Sequence, residues 1–269
     1  MRQASRMAKN MGHLLLLGII FSSASNVAAQ VLPVSVMGLS SGQGKGFAAH
    51  SSPTAIFQSS GKYGVFLFTE IPFGLIELQS SWFQSTFVGS TWAGGIGFSM
   101  SGFDQLKNRS VAFSLAKTMA DSRYIGATIG VIMTQPGVLQ AIYIPFWTVA
   151  FDLPIIHSLV GTFAIRKTGN RDQGILSPTK ISLGGRIKIA EKVSLSSMFN
   201  ISKDYPPSLE TEISFQLVGA LHFMAGYESG RSMFFGSIAL PSHYVSASIH
   251  ASWHPFLGIS SGILVALTF

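Results

Sequence analysis

Three histidines close together, His243, His250 and His254, are the first residues in this chain that could do chemistry. Imidazoles bind zinc and copper, but such a site needs three or four ligands at spacings that converge. The end of an extended segment separates His250 from His254, and no carboxylate stands at ligand spacing. A metal centre is therefore disfavoured, and surface or interfacial histidines are the expectation. A second candidate is the pair Glu210 and Glu212. On one face of a strand their carboxyls would stand about 7 Å apart, within reach of acid–base chemistry on a glycoside. The plainer account is a lattice of charges lining an interior, with Glu210 and Glu212 near Lys180, Arg186 and Lys188 across neighbouring strands. The run Gly42-Gln43-Gly44-Lys45-Gly46 has the glycines of a phosphate loop. It lacks the Ser or Thr after the lysine and the earlier glycine, where Leu39 stands, so the match fails. No Gly-x-Ser-x-Gly elbow organises the many serines. The absence of cysteine removes disulfides, thiolate zinc sites and a cysteine nucleophile. Neither an enzyme nor a bound cofactor is expected.

Composition points to where these side chains are held. Only 11% of the 269 residues are charged and 47% are hydrophobic, whereas soluble domains carry about 25% charge. Low charge with high apolarity suggests a membrane. Beyond the N-terminus no clean run of about 20 apolar residues is available for a membrane helix. The nearest, Val138 to Ile156, is broken by Pro145, Asp152 and Pro154. The remaining way to satisfy every backbone group in lipid is a closed barrel of strands. The net charge of +7 includes Arg2, Arg6 and Lys9. No basic cluster with interleaved aromatics follows them, so a nucleic-acid partner is not expected.

Residues 1–29 read as a secretory signal. Arg2, Arg6 and Lys9 form the charged part, Leu14 to Phe21 the apolar part, and Val27-Ala28-Ala29 the cleavage site. Residues 30–61 are rich in Gly, Ser and Ala. Residues 62–269 read as strands and turns. Counting back from the end gives about fourteen strands, near 257–269, 244–253, 232–239, 219–228, 208–217, 193–202, 179–189, 157–166, 138–151, 123–133, 110–118, 91–102, 76–87 and 62–70. The last is the clearest. Leu257, Ile259, Ile263, Val265, Leu267 and Phe269 recur at every second position, with only Ser261 breaking the set and small residues filling most of the gaps. Ile181, Leu183, Ile187 and Ile189 repeat the pattern against Lys180, Ser182, Arg186 and Lys188. Pro145 cannot donate to a ladder, so a bulge or a distorted strand is expected there. With both chain ends at one rim, the longest connections, 167–178 and 103–109, fall at the opposite rim. Long loops outside and short turns inside are the habit of such barrels. Trp82, Trp92, Trp147 and Trp253 are expected in an interfacial girdle.

Two stretches carry a resemblance. The aromatic terminus, with Val265, Leu267 and Phe269, resembles the closing strand of bacterial outer-membrane β-barrels, where such residues form the membrane-insertion signal. The run Gly44 to Gly61 resembles the N-terminal signature of the fatty-acid-transporter-like barrels, in particular the PorV/PorQ group of Bacteroidota. Gly44, Gly46, Phe47, Pro53, Ala55, Ile56, Phe57 and Gly61 keep the pattern; the acidic pair and the Asn-Pro of that group are replaced by His50 to Ser52 and Gln58 to Ser60. The resemblance implies an all-β transmembrane antiparallel barrel of about fourteen strands in the outer membrane. It implies that 30–61 is a plug at the periplasmic end, with Gly44, Gly46, Phe47, Pro53, Ile56 and Phe57 as plug residues. It further implies outer-membrane lipid and other envelope proteins as partners. A subunit of a secretion-type outer-membrane assembly is the favoured expectation, because the loops are short. The alternative is passive transport of apolar small molecules through the lumen or a lateral opening.

Overall fold

The computed structural model describes residues 53–58 and 62–269, apart from 104–105, 121–122, 138–139, 157, 170–178, 203–204, 218–220 and 242–243 at the turns. The expected signal sequence, and Gly44, Gly46 and Phe47, lie outside the described residues. Fourteen strands form one closed antiparallel barrel in which each pairs with its sequence neighbours and β1 pairs with β14. They are β1 (Tyr63–Ile71), β2 (Ser80–Val88), β3 (Trp92–Phe103), β4 (Leu106–Thr118), β5 (Tyr124–Pro136), β6 (Ile142–Ile156) and β7 (Leu159–Thr168). The second half is β8 (Thr179–Ala190), β9 (Val193–Ser202), β10 (Tyr205–Gln216), β11 (His222–Glu228), β12 (Met233–Pro241), β13 (Val245–His254) and β14 (Gly258–Thr268). Closure leaves no sheet edge to be satisfied in lipid. It is locked at one rim, where the Tyr63 amide donates to the Phe269 carbonyl at 3.1 Å and the Phe269 amide donates to Tyr63 at 2.9 Å. Both ends of the strand-forming region therefore lie at the same rim, called here the terminal rim.

The two-residue period sorts the wall into faces. Leu67, Phe113, Ile129, Leu183, Ile213, Ile249 and Ile263 point outward and are exposed, as are Trp92, Trp147 and Trp253. A soluble protein rarely shows so continuous an apolar belt; here it is the surface that meets hydrocarbon. Val265, Leu267 and Phe269 belong to this outer face or to its end. Small and polar residues fill the opposite face of the same strands, as in β13, where Ser246, Ser248, His250 and Ser252 are all buried.

Five sequence expectations change. Trp82 is not in the outer girdle: it faces the lumen at 5% exposure, packed with Phe66, Phe68 and Leu264. His250 is not interfacial but fully buried inside. Position 145 carries no bulge, since Pro145 stands in regular register with Val131. Its carbonyl accepts from Gly169 at 2.8 Å, beyond the last β6–β7 pair, Phe146 with Thr168. The donor that proline lacks would point toward the same neighbour, where the ladder has already ended. The irregularity falls instead between Pro154 and Ile156. Finally, 103–109 is not a long loop, because β3 runs to Phe103 and β4 starts at Leu106. The stretch between β1 and β2 is longer than expected and holds two short 3-10 turns, Pro72–Gly74 and Ile76–Leu78.

Candidate functional site

The lumen is where polar and apolar side chains converge, and it has two unlike walls. One is built by β14, β1 and β2. Phe66 and Phe68 point inward from β1, Trp82 stands opposite Phe68 on β2, and Leu264 and Ala266 face them from β14. It continues on β4–β6, where Ala112, Ile132, Ile144 and Phe146 form a second buried apolar cluster. Parity explains the placement: in Tyr63–Ile71 the even positions carry the large aromatics inward while Val65 and Leu67 meet lipid.

The other wall is charged. Register places Lys180, Ser182 and Arg186 of β8 beside Ser202, Asn200 and Ser196 of β9. The next strand brings Glu210 opposite Met198 and Glu212 opposite Ser196. So Lys180, Arg186, Lys188, Glu210 and Glu212 lie on one inward face, on β8 and β10 with β9 between them. Lys180 and Lys188 are exposed within the lumen, while Glu210 and Glu212 are buried. The Arg186 Nε donates to Ser196 at 3.3 Å, and the Ser182 hydroxyl donates to Asn200 Oδ1 at 2.7 Å. Lys180 lies within electrostatic reach of Glu210 and Glu228. At the rim away from the termini, Arg231 pairs with Glu228 at 3.5 Å. Arg166 joins the two walls, its guanidinium 4.7 Å from the centre of the Phe146 ring.

At the terminal rim the 3-10 turn Pro53–Gln58 sits inside the mouth. Ile56 is fully buried against Ala93, with Phe57 and Val88 alongside. Phe57 lies on Tyr124 with ring centres 5.0 Å apart. Pro53 fits over Gly126, where a Cβ would stand 2.8 Å from the proline Cβ. The Asp152 carboxylate accepts hydrogen bonds from the Thr54 and Thr162 hydroxyls, the latter at 2.8 Å. A buried carboxylate is thus satisfied by one hydroxyl of the wall and one of the inserted turn. Pro53, Ile56 and Phe57 are therefore within the barrel.

Of the histidines, His254 caps the β13–β14 turn, its Nδ1 accepting from the amides of Phe256 and Leu257, each at 3.2 Å. His243 lies outside the described residues. Among the described residues no three His, Asp or Glu side chains come together as a metal site. Sequence reasoning missed Glu70, Phe66, Phe68, Asp152 and Ser252 as lumen residues. The signal was partly there: in Gly64-Val65-Phe66-Leu67-Phe68 both faces are apolar, so alternation alone could not say which was inside.

A depression of about 780 Å³ also indents the lipid-facing wall at β2–β5, between Phe87, Phe113, Leu115 and Ile129. The β2–β3 and β3–β4 ladders run unbroken beneath it.

A sealed cylinder with an apolar belt outside and a furnished lumen defines a transmembrane β-barrel, and its place is the outer membrane of Gram-negative bacteria. No family model matches the sequence, and no curated protein does. Solved structures do. The "CymD monoaromatic hydrocarbon channel" superposes with a TM-score of 0.61 at 12% identity, over 86% of this chain and 97% of that one. The Pseudomonas putida toluene transporter TodX matches at 0.57 and 10%, over 82% and 94%. The Ralstonia pickettii toluene transporter TbuX gives 0.57 and 11%, over 82% and 92%. At these identities the likeness is one of fold.

Proposed function

We propose that this barrel passes small hydrophobic molecules across the outer membrane without consuming energy. The observation that carries the reading is the aromatic wall inside the lumen. Phe66, Phe68, Trp82, Ile132, Ile144 and Phe146 are large apolar side chains turned away from lipid. A water-filled pore would be lined by polar groups all round. An apolar wall with a few polar groups is what a hydrophobic solute binds to. The shared fold with hydrocarbon channels supports the same reading. The inserted turn at Pro53–Gln58 acts as the periplasmic stopper, and Asp152 is its anchor.

The second reading, a docking subunit of an envelope assembly of the PorV/PorQ kind, rests on the short connections and on Gly44–Gly61, of which the described part is Pro53–Gln58. It offers no account of the aromatic lumen. Two measurements separate them. Proteoliposomes carrying the barrel should take up radiolabelled toluene faster than empty vesicles, with no comparable gain for a sugar of similar size. Equal rates would end the channel reading. Stoichiometric recovery with other envelope proteins from native membranes, together with equal rates, would favour the docking subunit.

A further inference from the structure

Within the apolar wall lies a group of polar atoms without hydrogen-bond partners, though Glu70 is within electrostatic reach of Arg231 at the rim. Glu70 on β1 stands opposite Gly262 on β14, and His250 on β13 stands opposite the same glycine from the other side. The strand between them presents no side chain at that level. Glu70, His250 and Ser252 are 2%, 0% and 3% exposed. Yet Glu70 Oε1, both ring nitrogens of His250 and the Ser252 hydroxyl have no hydrogen-bond partner. Buried polar atoms are nearly always paired, so an orphan group of this size asks for an explanation. Around it stand Phe66, Phe68, Trp82 and Leu264.

We propose that the slot over Gly262 is a binding site for neutral aromatic molecules bearing a hydroxyl, phenols above all; the proposal rests on the channel reading and narrows its substrate class. A phenol fits both halves of the chemistry. Its ring packs edge or face against Phe66, Phe68 and Trp82. Its hydroxyl donates to the Glu70 carboxylate and accepts from a His250 N–H. A bare hydrocarbon would leave both groups as orphaned as before. An aromatic carboxylate would set a second anion against Glu70. Sites built to hydrogen-bond a substrate hydroxyl discriminate strongly against the analogue without it.

The slot is closed by Phe68. A Cβ placed on Gly262 would stand 3.0 Å from two atoms of the Phe68 ring, so the ring lies over the glycine. It meets His250 edge-on with ring centres 6.4 Å apart. A side-chain rotation of Phe68 uncovers the glycine and opens the space between Glu70 and His250. Phe68 is thus the cover of the site as well as part of its wall.

The test uses the purified full-length barrel in detergent and three ligands of similar shape: toluene, p-cresol and p-toluate. Binding is read by calorimetry, and uptake of the same compounds by proteoliposomes. The expected result is p-cresol bound at least tenfold more tightly than toluene, with p-toluate weakest. Glu70→Gln combined with His250→Phe should remove the preference, bringing the affinity for p-cresol to that for toluene in the same variant. Phe68→Ala should tighten p-cresol binding. Should the double variant fail to form a heat-modifiable barrel, Glu70→Gln alone is the gentler substitute and should lower the preference severalfold. Equal affinity of the native barrel for toluene and p-cresol, tightest binding of p-toluate, or a preference that survives the double variant would overturn the proposal. Uptake of toluene with no p-cresol preference sinks this inference alone. Uptake of neither sinks the channel reading itself.

Discussion

The inner wall of β14, β1 and β2 and the inner wall of β8 to β10 are written in the same two-residue repeat, yet they are furnished in opposite ways. On the first, Phe66, Phe68, Trp82 and Leu264 pack into a closed apolar cluster. On the second, Lys180, Ser182, Arg186, Glu210 and Glu212 share an inward face, where Ser182 donates to Asn200 at 2.7 Å. The outer faces of the two regions do not differ: Leu67 and Ile263 on one, Leu183 and Ile213 on the other, all meet lipid. Lipid imposes a single requirement on every outward position, whereas the lumen imposes none in common. What lines it is free to follow what passes or rests there. The contrast teaches that function in this barrel is written on the inward parity, strand by strand.

Substitutions can break or sharpen that contrast. The largest effect is expected on the apolar side. Phe66→Ala should destabilise the barrel by about 3–5 kcal/mol, the range for deleting a buried aromatic. Lys188→Ala, on an exposed lysine of the charged wall, should stay within about 0.5 kcal/mol. Guanidinium unfolding of the two in the same detergent measures both, and equal losses would mean that the walls are not different in kind. Next comes the anchor of the inserted turn. Asp152→Ala removes the acceptor of Thr54 and Thr162 and should cost about 1.5–3 kcal/mol, as bonds to a charged group do. Proteolysis near Pro53–Gln58 should accelerate; unchanged cleavage would show that the turn is held by its apolar contacts alone. A smaller loss, about 1 kcal/mol, is expected for Ser99→Ala. It cuts the buried 2.6 Å hydrogen bond between Ser99 and Ser110, and thermal unfolding followed by circular dichroism reads it. Last is Arg231→Ala, on the charged side. Its ion pair with Glu228 is long, at 3.5 Å, and partly exposed, so the change should remain below about 1 kcal/mol and vanish in high salt. A large, salt-independent loss would give that rim a structural weight its geometry does not suggest.

Much of the architecture was legible because lipid enforces it. The strand read at 193–202 is β9, and the one read at 179–189 differs from β8 by a single residue. In both, alternation is clean because one face is apolar and the other polar. Where both faces are apolar the reading lost its footing: the aromatic series of β1 gave no inside or outside, and Trp82 was assigned to the lipid girdle when it belongs to the lumen. Pro145 looked like a defect in sequence. Only the offset between β6 and β7 showed that its missing donor falls past the end of the ladder. Glu210 and Glu212 could be placed with Lys180 and Arg186 by parity alone. No pattern along the chain could bring Glu70 and His250 together, since that requires strand one to meet strand fourteen.

The sequence by itself determined that this chain crosses a membrane as strands, since scarce charge, no helical span and a two-residue period leave no other way to satisfy the backbone in lipid. It also determined the number of strands, because each turn interrupts the alternation. Only closure decided what the lumen is. Joining β1 to β14 set Glu70 and His250 on either side of Gly262 and folded Phe68 over it. Periodicity acts along the chain, while a binding surface inside a cylinder is made across it, by register between strands that can be 180 residues or more apart, as Glu70 and His250 are.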